Sequence, residues 1–474
     1  MTFELWQLSA ETLRGLIAAR QVSPVEVTKA VLARIDALQP KLNCFITVCH
    51  EHALAQARWA EETVMRGGTL GLLHGVPYHV KDLVNTAGVR TTFGSLLQEN
   101  NVPKTDAVSA ARVKAAGGIL VGKTTTPEFG HKALSDGPLF GKCHNAWDQS
   151  RTSGGSSGGS AVAVAAGLAP IGIATDGGGS TRIPAACNGM VGLKQSNGVI
   201  PHSQAADAFG NYTYVTPMTR TVMDTALMLQ AMAGEDASDP WSIGVPIPDY
   251  VAAARPDGDL KGKRILFAAR LGNKVVARDV ESAFRAAVQR LESLGAIVEE
   301  LKDMPPANYE VWQIINHSTW RARFADMVAR DGNRMTPSLV RQVQMAANWS
   351  AADYQKAMFA RGELFRHIQG WFERYDYFVT PTLSRTALPV DHDLFDPIEI
   401  DGQVVGELRQ SLFPYTMPFN ITGHPAMSLC CGFATDGLPI GLQLVGRFRD
   451  EASVLRLGAL YEASTDWHRR WPNL

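Results

Sequence analysis

Apolar residues recur every three or four positions through Val27, Val31, Ile35 and Leu38, which is the spacing of one helix face. Just ahead, Ser23-Pro24-Val25-Glu26 sets a capping serine three residues before a glutamate, with proline at the first helical position. After Pro40 the run Cys44-Phe45-Ile46-Thr47-Val48 reads as a short strand. A unit of helix, glycine and strand then returns along the chain. Ser109 to Ala116 predicts a helix, Gly117-Gly118 its stop, and Ile119-Leu120-Val121 a strand. Phe284, Val288, Leu291 and Leu294 form another helical stripe, ended by Gly295 before Ala296-Ile297-Val298. Ala161 to Ala166 predicts a closely packed helix, and Ile171-Gly172-Ile173-Ala174 a buried strand behind it.

Strands alternating with helices predict an α/β architecture, a large mixed but mainly parallel sheet with helices on both faces. The turn-rich stretch Ala233 to Pro248 is not low-complexity, so it does not read as a linker between halves. The apolar block Met427 to Val445 looks like sheet again. The expectation is one domain over 1–474, with a helical excursion over about 235–375 and a C-terminal segment, 376–474, that rejoins the sheet.

Composition narrows the partners. The 474 residues carry a formal net charge of -1, and like charges nowhere run in long blocks. That lacks the basic footprint of a nucleic-acid or anionic-membrane binder, so the expected partner is a small-molecule substrate, with a homodimer as the assembly to test. The start, MTFELWQLSAETLRGL, has neither a basic region nor an apolar core, so no secretory leader is expected. The apolar run Ala161 to Ala174 is too short for a membrane span and is interrupted by Gly167, Pro170 and Gly172. Six cysteines show no CxxC and no paired framework, which predicts reduced thiols and a cytoplasmic location. His74 and His79 flank a GVPY turn, but no His or Cys cluster has metal-ligand spacing; neither metal nor cofactor is expected.

Three glycine motifs compete for the chemistry. Gly117 to Thr124 matches GxxxxGK[ST] letter for letter, yet a phosphate loop needs a strand before it and a helix after it. Here the helix comes first and the loop is an apolar strand. Gly154-Gly155-Ser156-Ser157-Gly158 satisfies GxSxG, but the preceding AWDQSRTSG is polar and turn-like where a nucleophile elbow requires a strand. The third, Thr175-Asp176-Gly177-Gly178-Gly179-Ser180-Thr181-Arg182-Ile183-Pro184, follows a buried strand directly. Three glycines there can bring several N–H groups to one point, with a serine at its mouth, as an oxyanion site requires. An ordinary glycine-rich turn would look the same, with Asp176 and Arg182 clamping it as an ion pair.

A serine nucleophile needs a base. Lys81 lies in Gly75-Val76-Pro77-Tyr78-His79-Val80-Lys81-Asp82-Leu83-Val84 with apolar neighbours on both sides. Desolvation there would lower its pKa toward the range of a general base; a strand-edge lysine reaching solvent fits the same letters.

Taken together, GVPYHVKD, GGSSGGS and TDGGGSTRIPA resemble the signature of the amidase signature family, with Ser156 and Ser180 at the family's spacing. Further matches are GKTTTPEFG (122–130), GMVGLK (189–194), TPMTRTVMDTALML (216–229), YDYFVTPT (375–382) and FNITGHPAMSLCCGFATDGLPIGLQLVG (419–446). The resemblance spans nearly the whole chain, with its signature core over about 70–230, and implies the amidase-signature fold. It implies Ser180 as nucleophile, Ser156, after a cis peptide bond, as the bridging serine, and Lys81 as base. It places the oxyanion against the backbone N–H groups of Gly177, Gly178, Gly179 and Ser180, with Asp176, Arg182 and Ser157 in support. The implied activity is hydrolysis of small-molecule amides through an acyl-serine, with esters allowed by the same chemistry.

Two departures stand out: Gln195 replaces the family's usual proline after GLK, and Asn197-Gly198-Val199-Ile200-Pro201 lacks its usual arginine. The alternative with the same chemistry is the amide-cleaving subunit of a tRNA-dependent glutamine amidotransferase, which passes ammonia to a partner. Such subunits show DEFAMG and a serine-rich stretch where this chain has Pro127-Glu128-Phe129-Gly130-His131. The segments Trp312 to Phe324 and Phe413 to Asn420 are aromatic enough to line a pocket for an aryl or alkyl acyl group, and equally suit core packing.

Overall fold

The computed structural model describes residues 4–306 and 308–474. Eleven strands form one sheet: β1 (Phe45–Val48), β2 (Pro77–Lys81), β3 (Ile119–Thr124), β4 (Ile171–Asp176), β5 (Val191–Lys194), β6 (Tyr214–Thr219), β7 (Arg264–Phe267), β8 (Ile297–Glu300), β9 (Tyr377–Pro381), β10 (Ala426–Phe433) and β11 (Pro439–Val445). Their order across the sheet is β1-β3-β2-β4-β6-β5-β10-β11-β9-β7-β8. The C-terminal hairpin β10–β11 therefore lies mid-sheet.

Helices cover both faces because successive side chains of a strand point opposite ways. Along β3, Ile119 and Val121 join the apolar cluster that includes Val31, Ala53 and Ala161. Leu120, between them, packs into the cluster built on Ala226, Leu227 and Leu229. The expected helix start at Ser23 is real: its side chain accepts from Val25 and Glu26 N–H while Glu26 reaches back to Ser23.

The sheet is mixed, but the expectation that it is mainly parallel is corrected. Four of its ten pairings are parallel, β2 with β3 and β4, and β7 with β8 and β9; the other six are antiparallel. Parallel neighbours need a long crossover, and in the middle of this sheet the helical crossover Arg182–Asn188 joins β4 and β5, which are not neighbours. β10 and β11 are joined by the short turn 434–438, and the chain from β5 to β6 contains no helix. The stretch 235–375 is helical over Arg278–Ser293, Tyr309–Asp331, Pro337–Met345 and Ala351–Trp371, and it also contributes β7 and β8 to the sheet edge.

Candidate active site

β2 and β4 are adjacent and parallel, with Tyr78, His79 and Val80 opposite Ile171, Gly172 and Ile173. Their carboxyl ends therefore open side by side, and Lys81 emerges next to Thr175. The third contributor is the glycine-serine stretch between them in sequence. Its composition would suit a solvated linker, yet it lies inside the molecule: Ser153 to Ser160 are all buried, and the Gly155–Ser156 peptide bond is cis. The helix that follows, Gly158–Ala165, starts earlier than predicted. It starts with glycines because backbone runs against it; a Cβ on Gly159 would sit 2.5 Å from the Cys44 carbonyl oxygen and the Thr125 nitrogen.

Lys81 is fully buried, and its Nζ makes hydrogen bonds of 2.8 Å to the hydroxyls of Ser156, Ser157 and Thr175. Burial pushes the amine well below the ordinary lysine range, against a smaller upward pull from the Asp176 carboxylate. The Ser157 hydroxyl donates to the Thr175 carbonyl at 3.0 Å, so toward Lys81 it can only accept. Ser156 has no such commitment among the described residues, and it faces the same cavity as Ser180. The Ser157 N–H donates to the Ser180 carbonyl at 3.0 Å, tying the two motifs backbone to backbone.

The turn carrying Ser180 is held from behind by one carboxylate. Asp176 Oδ1 accepts from Gly179 N–H at 2.7 Å and from the Asn420 amide at 2.8 Å, and Oδ2 accepts from Thr181 N–H at 3.2 Å. Arg182 pairs with both oxygens, at 3.0 and 3.1 Å, and spends its remaining donors on Thr416, Asn420 and Gln443. Burial opposes ionisation of Asp176, but the Arg182 guanidinium and these hydrogen bonds outweigh it and hold the carboxyl below the usual range. Arg182 is thus a fully buried clamp rather than a group facing the cavity.

The expected set of four converging N–H groups needs one correction. Gly179, at φ +126°, turns its N–H to Asp176, so it is not free to meet a ligand. Among the described residues none accepts from the N–H groups of Gly177, Gly178 or Ser180. Their neighbouring carbonyls are tied away: Trp312 Nε1 donates to Gly177 O at 2.9 Å and the Thr416 hydroxyl to Gly178 O at 2.7 Å.

Ser156, Thr175, Gly177, Gly178 and Ser180 border a cavity of about 180 Å³. Its far wall is the helix Tyr309–Asp331, through Trp312, Asn316, Thr319, Trp320 and Arg323, as the aromatic pattern over 312–324 suggested. Of the second aromatic segment only Phe413 lines it, because Thr416 and Asn420 serve the turn from behind. Phe129, Gly130 and His131 also line it, which puts the departure at PEFGH on the cavity wall. Burial holds the His131 imidazole well below its ordinary pKa, and so neutral. The departures at Gln195 and Asn197 lie behind the wall, bonded to Val215 O at 2.9 Å and Asn211 O at 3.0 Å.

Sequence reasoning missed Thr175 as the third partner of Lys81, and Asn420 and Gln443 as partners of the clamp; only the fold brings the latter two there. The P-loop match dissolves: Lys123 is fully buried, donating to the Val84 carbonyl and, at 2.9 Å, to the hydroxyls of Thr86 and Thr91. Among the described residues no group of three His, Cys, Asp or Glu side chains can hold a metal ion, and no helix is long and apolar enough to cross a membrane.

A buried lysine, a serine after a cis peptide bond and a second serine at a glycine turn, gathered at the carboxyl ends of two neighbouring strands of one mixed sheet, define a class of amide-cleaving enzymes. The chain belongs to the amidase signature family: the Amidase family profile matches residues 26–455. It is 36% identical to an acylamidase of Rhodococcus erythropolis over 98% of this chain and 97% of that protein. It is equally 36% identical to a glutamyl-tRNA(Gln) amidotransferase subunit of Roseiflexus sp. (strain RS-1), over 99% of both. Its fold matches the crystal structure of a bacterial aryl acylamidase of the same family with a TM-score of 0.90 at 27% identity, over 98% of both chains. The structure of 6-aminohexanoate cyclic dimer hydrolase follows at 0.88 and 26%, over 99% of both chains.

Proposed function

We propose that the protein hydrolyses small-molecule amides through an acyl-enzyme on Ser180. The carrying observation is Lys81: a fully buried amine, held toward its neutral form, 2.8 Å from a serine that shares a cavity with Ser180. Neutral Lys81 donates to Ser157 and Thr175 and takes the Ser156 proton on its lone pair, while Ser156 takes the proton of Ser180. Ser180 Oγ attacks the carbonyl carbon, and the N–H groups of Gly177, Gly178 and Ser180 receive the oxyanion. As the C–N bond breaks, the proton returns from Lys81 through Ser156 to the leaving nitrogen. Water, deprotonated by the same relay, then cleaves the acyl ester and releases a carboxylic acid.

Labelling with a fluorophosphonate and turnover of an amide and ester panel test this. Ser180→Ala abolishes both. Label that persists on Ser180→Ala but vanishes in Ser156→Ala assigns the nucleophile to Ser156 and overturns the scheme.

The equal identity to a component of an amidotransferase supports a second reading, in which the amide is glutamine and the ammonia passes to a partner. The PEFGH segment on the cavity wall favours the free-standing hydrolase. Amide turnover by the purified chain, without tRNA or ATP, is the expected result; glutamine turnover that requires partner proteins decides for the amidotransferase.

A further inference from the structure

Arg182 and Arg409 are both buried, and only Arg182 has a paired counter-ion. Arg182 spends all five N–H donors and has the Asp176 carboxylate. Arg409, 5% exposed and on the cavity wall, donates from Nη2 to the His131 carbonyl at 2.6 Å and from Nη1 to His317 Nε2 at 3.3 Å. Among the described residues no carboxylate pairs with it. Burial holds His317 near 3, so it is a neutral acceptor and brings no charge. Burial also lowers Arg409, to about 10, which leaves the guanidinium charged at neutral pH. The exposed Glu407 carboxylate and Tyr309 act on it only weakly, Glu407 from beyond ion-pair distance, and the faces of Trp312 and Trp320 have ring centres 5.0 and 5.8 Å away.

A buried cation without an anion in contact is costly unless a ligand supplies one. The rest of the cavity agrees. Arg323 lines it and also lacks an ion pair among the described residues. Of the acids that border it, Asp176 is neutralised by Arg182, and Asp207 is exposed, accepting the N–H groups of Phe209 and Gly210. The spare donors of Arg409 form a planar fork suited to two oxygens. Position follows from Trp312: its Nε1 holds the Gly177 carbonyl, its ring lies against Gly178, and the Arg409 guanidinium is 5.0 Å from the centre of that ring.

We propose that Arg409 anchors an anionic group, a carboxylate or similar oxyanion, on the substrate, so that the enzyme takes amides carrying a negative charge a few bonds from the scissile carbonyl. This rests on the hydrolase reading above and names its substrate class. An anion there satisfies a guanidinium that no carboxylate among the described residues contacts.

The test compares kcat/KM for matched pairs on the purified enzyme. Succinyl 4-nitroanilide against pentanoyl 4-nitroanilide places the carboxylate on the acyl side; 4-acetamidobenzoate against 4-acetamidobenzamide places it on the amine side. At least one carboxylate member is preferred tenfold or more, mainly through KM. In Arg409→Gln that preference falls at least fivefold, and in Arg409→Lys, which keeps the charge but loses the fork, at least threefold. Each ratio is read within one preparation, so a smaller folded fraction cancels. A wild-type preference below tenfold in both pairs overturns the proposal, as does an unchanged preference in whichever variant folds. Turnover without preference overturns this inference alone; absence of both turnover and fluorophosphonate labelling in the wild type overturns the hydrolase reading and the inference with it.

Discussion

Replacing Lys81 by Met removes the proposed base while keeping a buried, unbranched side chain of similar volume. Three hydrogen bonds of 2.8 Å disappear, each worth about 1 kcal/mol net. Against that loss, no amine has to be desolvated, so the fold should lose only about 1–2 kcal/mol and remain intact. The rate should fall far more. A positioned general base contributes about 10²–10⁴-fold, and here both serines depend on one amine, which places the loss near the top of that range, about 5 kcal/mol of transition-state stabilisation. Lys81→Arg should be no better, because a guanidinium stays protonated at every usable pH. The wild-type rate should follow the deprotonation of Lys81, low where the amine is charged and rising to a plateau as pH passes its folded pKa. Burial places that limb well below the range of a free lysine. Steady-state hydrolysis and fluorophosphonate labelling across pH, with thermal melts as the control on folding, read all of this. A Lys81→Arg enzyme that keeps most of the wild-type rate, or a wild-type profile flat across the alkaline limb, refutes the role given to Lys81.

Glu462 should make stability pH-dependent. Its carboxylate accepts from Val222 N–H at 3.1 Å, and burial, reinforced by Asp224, pushes it up to about 8. A folded pKa above the unfolded one, about 4.3, means the contribution is complete below that value and is lost as pH rises through 8. Since the residue is partly exposed, Glu462→Gln should gain about 1–2 kcal/mol on the wild type at pH 9 and nothing at pH 4; equal melting curves at both pH values would falsify this. Prolonged chelation or added ATP should leave the hydrolysis rate unchanged, because no group of three His, Cys, Asp or Glu side chains among the described residues can hold a metal ion and Lys123 is sealed away from solvent. Zinc-restored activity after chelation, or tight ATP binding, refutes that.

The elements carried by local pattern were legible: the capped helix after Ser23, the glycine-stopped helix before Ile119, and the strand ahead of Asp176. Sheet direction was not, since it depends on which strands the chain skips, and the hairpin β10–β11 inserts next to β5, more than two hundred residues earlier. Lys81, Ser156 and Ser180 came together only through the family resemblance, since each local context also allowed a plain structural reading; the fold sets Lys81 2.8 Å from Ser156 and puts Ser156 and Ser180 on one cavity. The Asp176 clamp was half legible. Arg182 lies six residues from Asp176, but Asn420 and Gln443 come from the far end of the chain. Gly179 was misjudged for a related reason: its N–H meets the carboxylate only once the backbone has turned to φ +126°.

That clamp bears on the protonation of Lys81. Asp176 is a buried anion close enough to draw Lys81 toward its charged form, which would disable it as a base. Arg182 reduces that pressure, leaving a pull smaller than the effect of burial, by taking both oxygens of the carboxylate with a cation that never gives up its proton. The two basic side chains therefore divide the labour: Arg182 carries most of the charge that Asp176 demands, and Lys81 is left free to be neutral. The division predicts shifts of opposite sign. Arg182→Lys supplies three donors where five were used, neutralises Asp176 less completely, and should move the alkaline limb of the rate up, by up to about one pH unit. Asp176→Asn removes the upward pull and should move the same limb down, even though the turn is weakened and kcat falls. If both variants lose rate with the limb unmoved, the clamp only shapes the glycine turn, and the neutrality of Lys81 comes from burial alone.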